Sequence, residues 1–257
     1  MIFVAHSAHM TVRHLQALLR QPWYVAVTLV QPLIWLLLFG SLFSGIANLP
    51  GFDAASYLDF LTPGIVIMSA IMSGGWGGIG MYADLDRGVI DRFLVSPASR
   101  GALIAGPLAQ QSVVVAVQSV VIIALALLAG AAFPGGFFGI VALIVAAVLI
   151  GAAFAGLANA LVLLTRKEES LVILVQLFAL PLTFLSTAFM PLDLVPDWIA
   201  AVAPYNPANW AVVAGREALS ANPDWGLALY QLAYLAAFAV VCGLLATAMF
   251  RAYRRSQ

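Results

Sequence analysis

The sequence predicts an all-α integral membrane protein with six transmembrane helices, an interfacial amphipathic helix before the first, a charged cytoplasmic helix between the second and third, and an outer re-entrant hairpin before the last. Three observations predict this. Of 257 residues, 63% are hydrophobic and 9% charged. An ordinary soluble domain has about a quarter of its residues charged, so lipid must be part of this chain's solvent. Six apolar runs, 23–43, 57–81, 103–131, 137–164, 171–190 and 226–250, are long enough to cross a bilayer core. A core about 30 Å thick needs roughly 20 residues at 1.5 Å rise each. The third observation is the placement of charge.

Arg13, Arg20, Arg87, Arg92, Arg100, Arg166, Lys167, Arg251, Arg254 and Arg255 all fall on one side of a six-span arrangement. Arg216 alone falls on the other, with Asp53, Asp59, Asp193, Asp197, Glu217 and Asp224. The basic side is expected to be cytoplasmic, which puts both ends of a multi-pass cell-membrane protein inside. Five or seven spans would destroy this segregation. Within the runs no charge or histidine occurs except near an end, as at Asp59. That is expected, because a midplane charge costs about 3 kcal/mol or more.

The elements follow in order. Residues 8–20 read as an amphipathic helix, with Val12, Leu15 and Leu19 on one face and Arg13, Gln16 and Arg20 on another. Pro22 breaks it before the first span. Such a helix lies in the interface plane; a plain extension of the first span is the alternative. The first apolar run is too long for a signal peptide.

Between the second and third spans, DLDRGVIDRFLVSPASR at 84–100 is the most charged stretch. Asp84, Asp86, Arg87, Asp91 and Arg92 alternate in sign at helical spacing. Val89, Ile90, Phe93 and Leu94 form an apolar patch, and Pro97 ends the helix. This reads as a helix shaped to touch another protein, with a solvated loop helix as the alternative.

SGGWGGIG at 73–80 has Gly74 and Gly78 at GxxxG spacing, and the fourth span repeats the theme with Gly151–Ala155 and Ala152–Gly156. Small residues let helix backbones approach, so these mark helix contacts. Cys242, the single cysteine, excludes a disulfide within the chain and reads as a packing residue. Residues 191–221 hold Pro191, Pro196, Pro204, Pro207, Trp198 and Trp210. Two amphipathic stretches there, 197–203 and 208–220, flank PYNP and are each too short to span. They read as a re-entrant or interfacial hairpin with its tryptophans at headgroup level.

Several function classes are excluded. His6, His9 and His14 all lie in the N-terminal segment, so no span offers a histidine for a serine protease or a metal site. The one lysine, Lys167, follows Arg166, and no phosphate-binding GxxxxGK[ST] loop exists. The spans carry Gln31, Gln118, Asn159 and Gln176 but no midplane carboxylate, which disfavours an ion-coupled carrier. A zero net charge gives no argument for nucleic acid. This pattern suggests a membrane protein whose work is powered by a separate subunit.

Four stretches carry a family resemblance: QPLIWLLLFGSLF at 31–43, DRGVIDRFLVSPASR at 86–100, LANALVLLTRKEESLVILVQLFALPLTFLSTAFMP at 157–191, and LVPDWIAAVAPYNPANWAVVAGREAL at 194–219. In this order they resemble the permease subunit of type-two ABC exporters, in the daunorubicin-resistance drug efflux branch. Asp91 stands where that family more often has Glu, beside Gly88, Ser96 and Pro97.

The resemblance implies a half-transporter. Two permease copies, homo- or heterodimeric, pair with two cytoplasmic ABC ATPase subunits. ATP and Mg belong to those subunits, and this chain binds no cofactor. Asp84, Asp86, Arg87, Gly88, Asp91, Arg92, Phe93, Leu94 and Pro97 then form the ATPase-coupling helix, and Arg13, Leu15, Leu19 and Arg20 mark the interfacial helix. The fifth span, with Phe178, Pro181, Phe184, Ser186, Thr187 and Phe189, is expected to line the subunit interface and a pathway for an amphipathic or lipid-like cargo. Ordinary bundle packing is the alternative there. A glycan or lipid-linked saccharide is the rival cargo, and a non-transporting membrane scaffold the rival function.

Overall fold

The computed structural model describes residues 22–48, 56–88 and 102–255, and among them every regular element is helical. The apolar runs become helices α1 (Pro22–Leu42), α2 (Tyr57–Trp76), α4 (Ala102–Leu128), α5 (Gly136–Thr165) and α10 (Trp225–Arg255). A short α3 (Gly78–Asp86) continues α2 beyond a turn at Gly77. Four helical stretches are long and apolar enough to cross a membrane: Tyr57–Asp86, Ala105–Leu128, Gly136–Thr165 and Trp225–Tyr253. Leu29–Leu42 and Glu169–Phe184 are shorter apolar stretches. Arg87, Arg166, Lys167 and Arg251 flank an apolar cluster of Met81, Leu163, Leu171 and Tyr253 at one end of the helices, here called the basic end.

The continuous helix expected over 171–190 is corrected. It is built as α6 (Glu169–Leu174), a π-helical turn (Val175–Ala179) and α7 (Leu180–Phe184). Pro181 explains the change. It has no N–H to give, and its ring crowds the carbonyl four residues back, which lies inside the widened turn. Beyond Phe184 the backbone leaves the helix altogether.

The long α5 is central and packs against α2, α4, α9 (Pro207–Leu219) and α10. Its buried face is dominated by small residues such as Ala146, Ala147, Gly151, Ala155 and Ala158. A Cβ on Gly74 would collide with the Gly151 carbonyl, so α2 and α5 meet backbone to backbone. This is the use expected of the small-residue clusters: with no side chain between them, close dispersion contact holds the helices. Cys242 is buried, with its backbone against Gly156. A second apolar cluster at the basic end joins Met81, Val162, Leu163, Leu171, Phe250 and Tyr253.

The perimeter is apolar where a soluble protein would be polar. Ile34, Leu37 and Leu38 on α1, Val117 and Val120 on α4, and Val240, Val241 and Leu244 on α10 are all at least half exposed. Such a surface is stable only in lipid.

The expected pair of short helices before the last span is present as α8 (Asp197–Val202) and α9. Asn206 caps α9 by accepting from the Ala208 N–H at 2.9 Å, and Pro207 follows at the first helical position. Trp210 lies against Tyr234 and Phe238 of α10, about 14–20 Å along that helix from Trp225 at 1.5 Å per residue. From there α9 returns to the first turn of α5, where the Leu219 carbonyl accepts from the Gly135 N–H at 3.0 Å.

Candidate functional site

Where the fifth span stops, its last carbonyls lose their helical partners. Backbone inside a bilayer has no water to turn to, so each polar group there needs a protein partner. α9 supplies most of them. Asn206 Nδ2 donates to the Leu182 carbonyl at 2.6 Å and the Leu185 carbonyl at 2.9 Å. Asn209 Oδ1 accepts from the Thr187 N–H at 3.0 Å and the Thr187 hydroxyl at 2.8 Å. Arg216 Nη2 donates to the Thr187 carbonyl at 2.8 Å and to the Phe60 carbonyl on α2 at 3.2 Å. From α2 itself, the Tyr57 hydroxyl donates to the Phe189 carbonyl at 3.0 Å.

Two further features seat the unwound segment. A Cβ on Gly64 would overlap the Ala188 carbonyl, so only glycine lets residues 185–189 lie on α2. The Arg216 guanidinium sits 3.7 Å from the centroid of the Phe60 ring, a cation–π contact at an enclosed site. The lone basic residue of the acidic side is thus a clamp joining α9, α2 and the break.

The structure separates the five proposed pathway residues. Phe178 and Phe184 face outward, each half exposed. Phe189 joins an aromatic stack, 5.0 Å from Phe184, 5.6 Å from Phe39 and 6.1 Å from Trp35. Ser186 and Thr187 are buried in the network, Ser186 donating to the Thr183 carbonyl at 2.6 Å. Trp35 also reaches Phe184 at 6.5 Å, which ties α1 to the fifth span. On these two elements Gln31 and Gln176 are exposed amides within otherwise apolar stretches.

At the basic end, Asp84 and Asp86 lie in α3, the continuation of the second span, rather than opening a separate helix. Asp84 is half-buried, and Asp86 and Arg87 are exposed. Gly88, at φ +63°, turns the chain out of the helix, with its N–H on the Leu85 carbonyl at 3.0 Å. Asp91, Arg92, Phe93, Leu94 and Pro97 lie outside the described residues, as do Arg13, Leu15, Leu19 and Arg20.

Sequence reasoning missed Asn206, Asn209 and Tyr57, and noted Arg216 only as an exception to the charge pattern. The signal for them was there: Asn206, Asn209 and Arg216 fall at spacings of three and seven, one face of a helix, directly after a prolyl turn. Among the described residues no three His, Cys, Asp or Glu side chains converge in a metal-binding group. The arrangement ties the unwound end of the fifth span to α9 and α2.

The ABC-2 type transporter family matches residues 7–220. The chain belongs to this family. It is 29% identical over 212 residues, 81% of its length, to 74% of the daunorubicin resistance ABC transporter permease protein DrrB1 of Streptomyces coeruleorubidus. The transport permease ycf38 of Porphyra purpurea is 31% identical over 209 residues, covering 80% of this chain and 70% of that one. The doxorubicin resistance ABC transporter permease protein DrrC of Mycobacterium tuberculosis is 24% identical over 257 residues, 99% of this chain and 90% of that one. The protein is therefore a multi-pass type-two ABC permease of the Drr branch, a membrane subunit that works with an ABC ATPase.

Proposed function

We propose that the chain is half of an ATP-driven exporter for an amphipathic, drug-like or lipid-like substrate. Two copies pair, each engages a cytoplasmic ATPase that holds ATP and Mg, and six spans place the basic end in the cytoplasm. The observation that carries this reading is the outward face of the first and fifth spans. Gln31 and Gln176 are exposed there with Phe178 and Phe184. An amide facing lipid has no hydrogen-bond partner, whereas a second copy or a weakly polar cargo supplies one. Exposed rings and amides on these spans suit a weakly polar cargo that partitions into lipid. The hairpin of α8 and α9 enters the outer leaflet and returns, holding the fifth span's outer end. Residues 84–97 carry the ATPase contact: Asp91 and Arg92 supply charge pairing, and Phe93 and Leu94 an apolar anchor.

The experiment is co-purification with candidate ATPases, followed by ATPase stimulation and transport in proteoliposomes with drug-like, lipid and saccharide-lipid panels. Stimulation by an amphipathic substrate is expected. Stimulation by saccharide-lipids alone would move the cargo to the rival class, and an ATPase complex silent to every panel would leave a scaffold. Asp91→Lys should lower complex yield or uncouple hydrolysis from export while insertion stays normal. A cysteine at Asn222 should label from outside and one at Ser99 only from inside.

A further inference from the structure

We propose that Arg216 receives an anionic headgroup, a phosphate or carboxylate carried by an amphiphile, at the end of the bundle opposite the basic end. The proposal rests on reading that end as the outer membrane boundary, and not on the export of any cargo. It begins with how the charge of Arg216 is left. Carboxylates stand close in the sequence, and none is taken: among the described residues Arg216 makes no ion pair. Asp59 Oδ1 instead accepts from the Ala132 N–H at 2.7 Å, and Asp224 Oδ1 from the Leu227 N–H at 3.0 Å. Glu217 follows Arg216 on α9 and so projects from a neighbouring face of that helix.

A guanidinium carries five N–H donors. Nη2 gives both of its own to the Thr187 and Phe60 carbonyls. Nε is enclosed by protein and has no acceptor. Nη1 has no acceptor among the described residues. The side chain as a whole is only partly exposed, so water serves it poorly. Two N–H bonds to carbonyls are also what a neutral glutamine amide supplies. The clamp therefore uses less than the arginine offers. Stacking on Phe60 takes the face of the guanidinium and leaves its edge.

Phe60 lies three residues into α2, so the site is about 4.5 Å inside the end of that helix. That is the depth of headgroups rather than of acyl chains. An oxyanion there supplies the missing countercharge and accepts from Nη1, and a neutral headgroup supplies neither.

The test uses the full chain in phosphatidylcholine nanodiscs, reading apparent affinity from the melting temperature as dodecyl phosphate is titrated in. Uncharged dodecyl maltoside and inorganic phosphate are the controls, and a parallel set of discs carries phosphatidylglycerol. The wild type should respond to dodecyl phosphate, to phosphatidylglycerol or to both, which tells a free amphiphile from a bilayer lipid, and weakly to the controls. Arg216→Gln keeps two donors for the carbonyls and loses the charge. Its affinity for the anion should fall roughly tenfold, the worth of about one charge-assisted hydrogen bond. Glu217→Gln removes a nearby negative charge and should bind about twofold more tightly. It carries the test if Arg216→Gln does not fold. Wild-type affinity in either folded variant would overturn the site. An equal response to dodecyl maltoside or to inorganic phosphate, or none to either anionic amphiphile, would do the same.

Discussion

The fourth and fifth spans are neighbours in the chain and opposites in construction. α5 runs unbroken for 30 residues and meets its neighbours through alanine and glycine. The fifth span changes helix type twice between Glu169 and Phe184 and then hands its backbone to side chains of α9 and α2. A continuous helix satisfies its own amides, so shape alone fixes where it packs. A broken one must find donors elsewhere, so its position depends on a few polar side chains. One span is held by fit and the other by hydrogen bonds, and substitutions should tell them apart.

The largest effect is expected where fit is tightest. Gly74→Leu drives a side chain into the α5 backbone; overpacking typically costs about 1–3 kcal/mol and more where no side chain can yield. Loss of monodisperse protein on size exclusion is the readout, and a wild-type profile would break the account of α5. Next comes Asn206→Ala, which strips donors from the Leu182 and Leu185 carbonyls and removes the α9 cap. About 3 kcal/mol is expected from unpaired buried acceptors and a lost cap. Asn159→Ala, on α5, should cost less in the same thermal unfolding assay, because α5 takes no backbone support from that side chain. Equal losses would erase the contrast.

Arg216→Lys comes third, at about 1–2 kcal/mol. Lysine keeps the charge but lacks the planar face on Phe60 and the forked donors. The same melting assay measures it. Phe184→Ala should follow at about 1 kcal/mol, because its ring stacks on Phe189, and Phe178→Ala should be smallest, within about 0.5 kcal/mol, because its ring is half exposed. Substrate-stimulated ATPase activity should nevertheless fall in both. Unchanged stimulation would remove these rings from the pathway.

The helical elements were legible because the length of an apolar run reports directly on bilayer thickness. The run 137–164 became Gly136–Thr165, and the stretches 197–203 and 208–220 became Asp197–Val202 and Pro207–Leu219. The fifth span was legible only as apolar. Hydropathy cannot tell a helix that crosses from one that stops at Phe184, because the stop depends on donors more than twenty residues away. That also hid the direction of Ser186 and Thr187. Read on a continuous helix they line a path; on an unwound segment they turn inward to Thr183 and Asn209. Gln31 and Gln176 were visible as span amides, but only the packed structure separates them from the buried Gln118 and Asn159.

The break in the fifth span has a consequence for biogenesis. Ribosomes deliver the chain from its first residue onward, so Leu182 and Leu185 emerge 24 and 21 residues before Asn206. During that interval the apolar run 171–190 has no outside donors, and its cheapest state in the translocon is a longer helix that serves its own carbonyls. Maturation then requires the outer turn of that helix to unwind when α9 arrives. A nascent chain arrested before Asn206 and one arrested after Arg216 should therefore place residues 185–190 in different surroundings, making this corner of the molecule a late step of assembly.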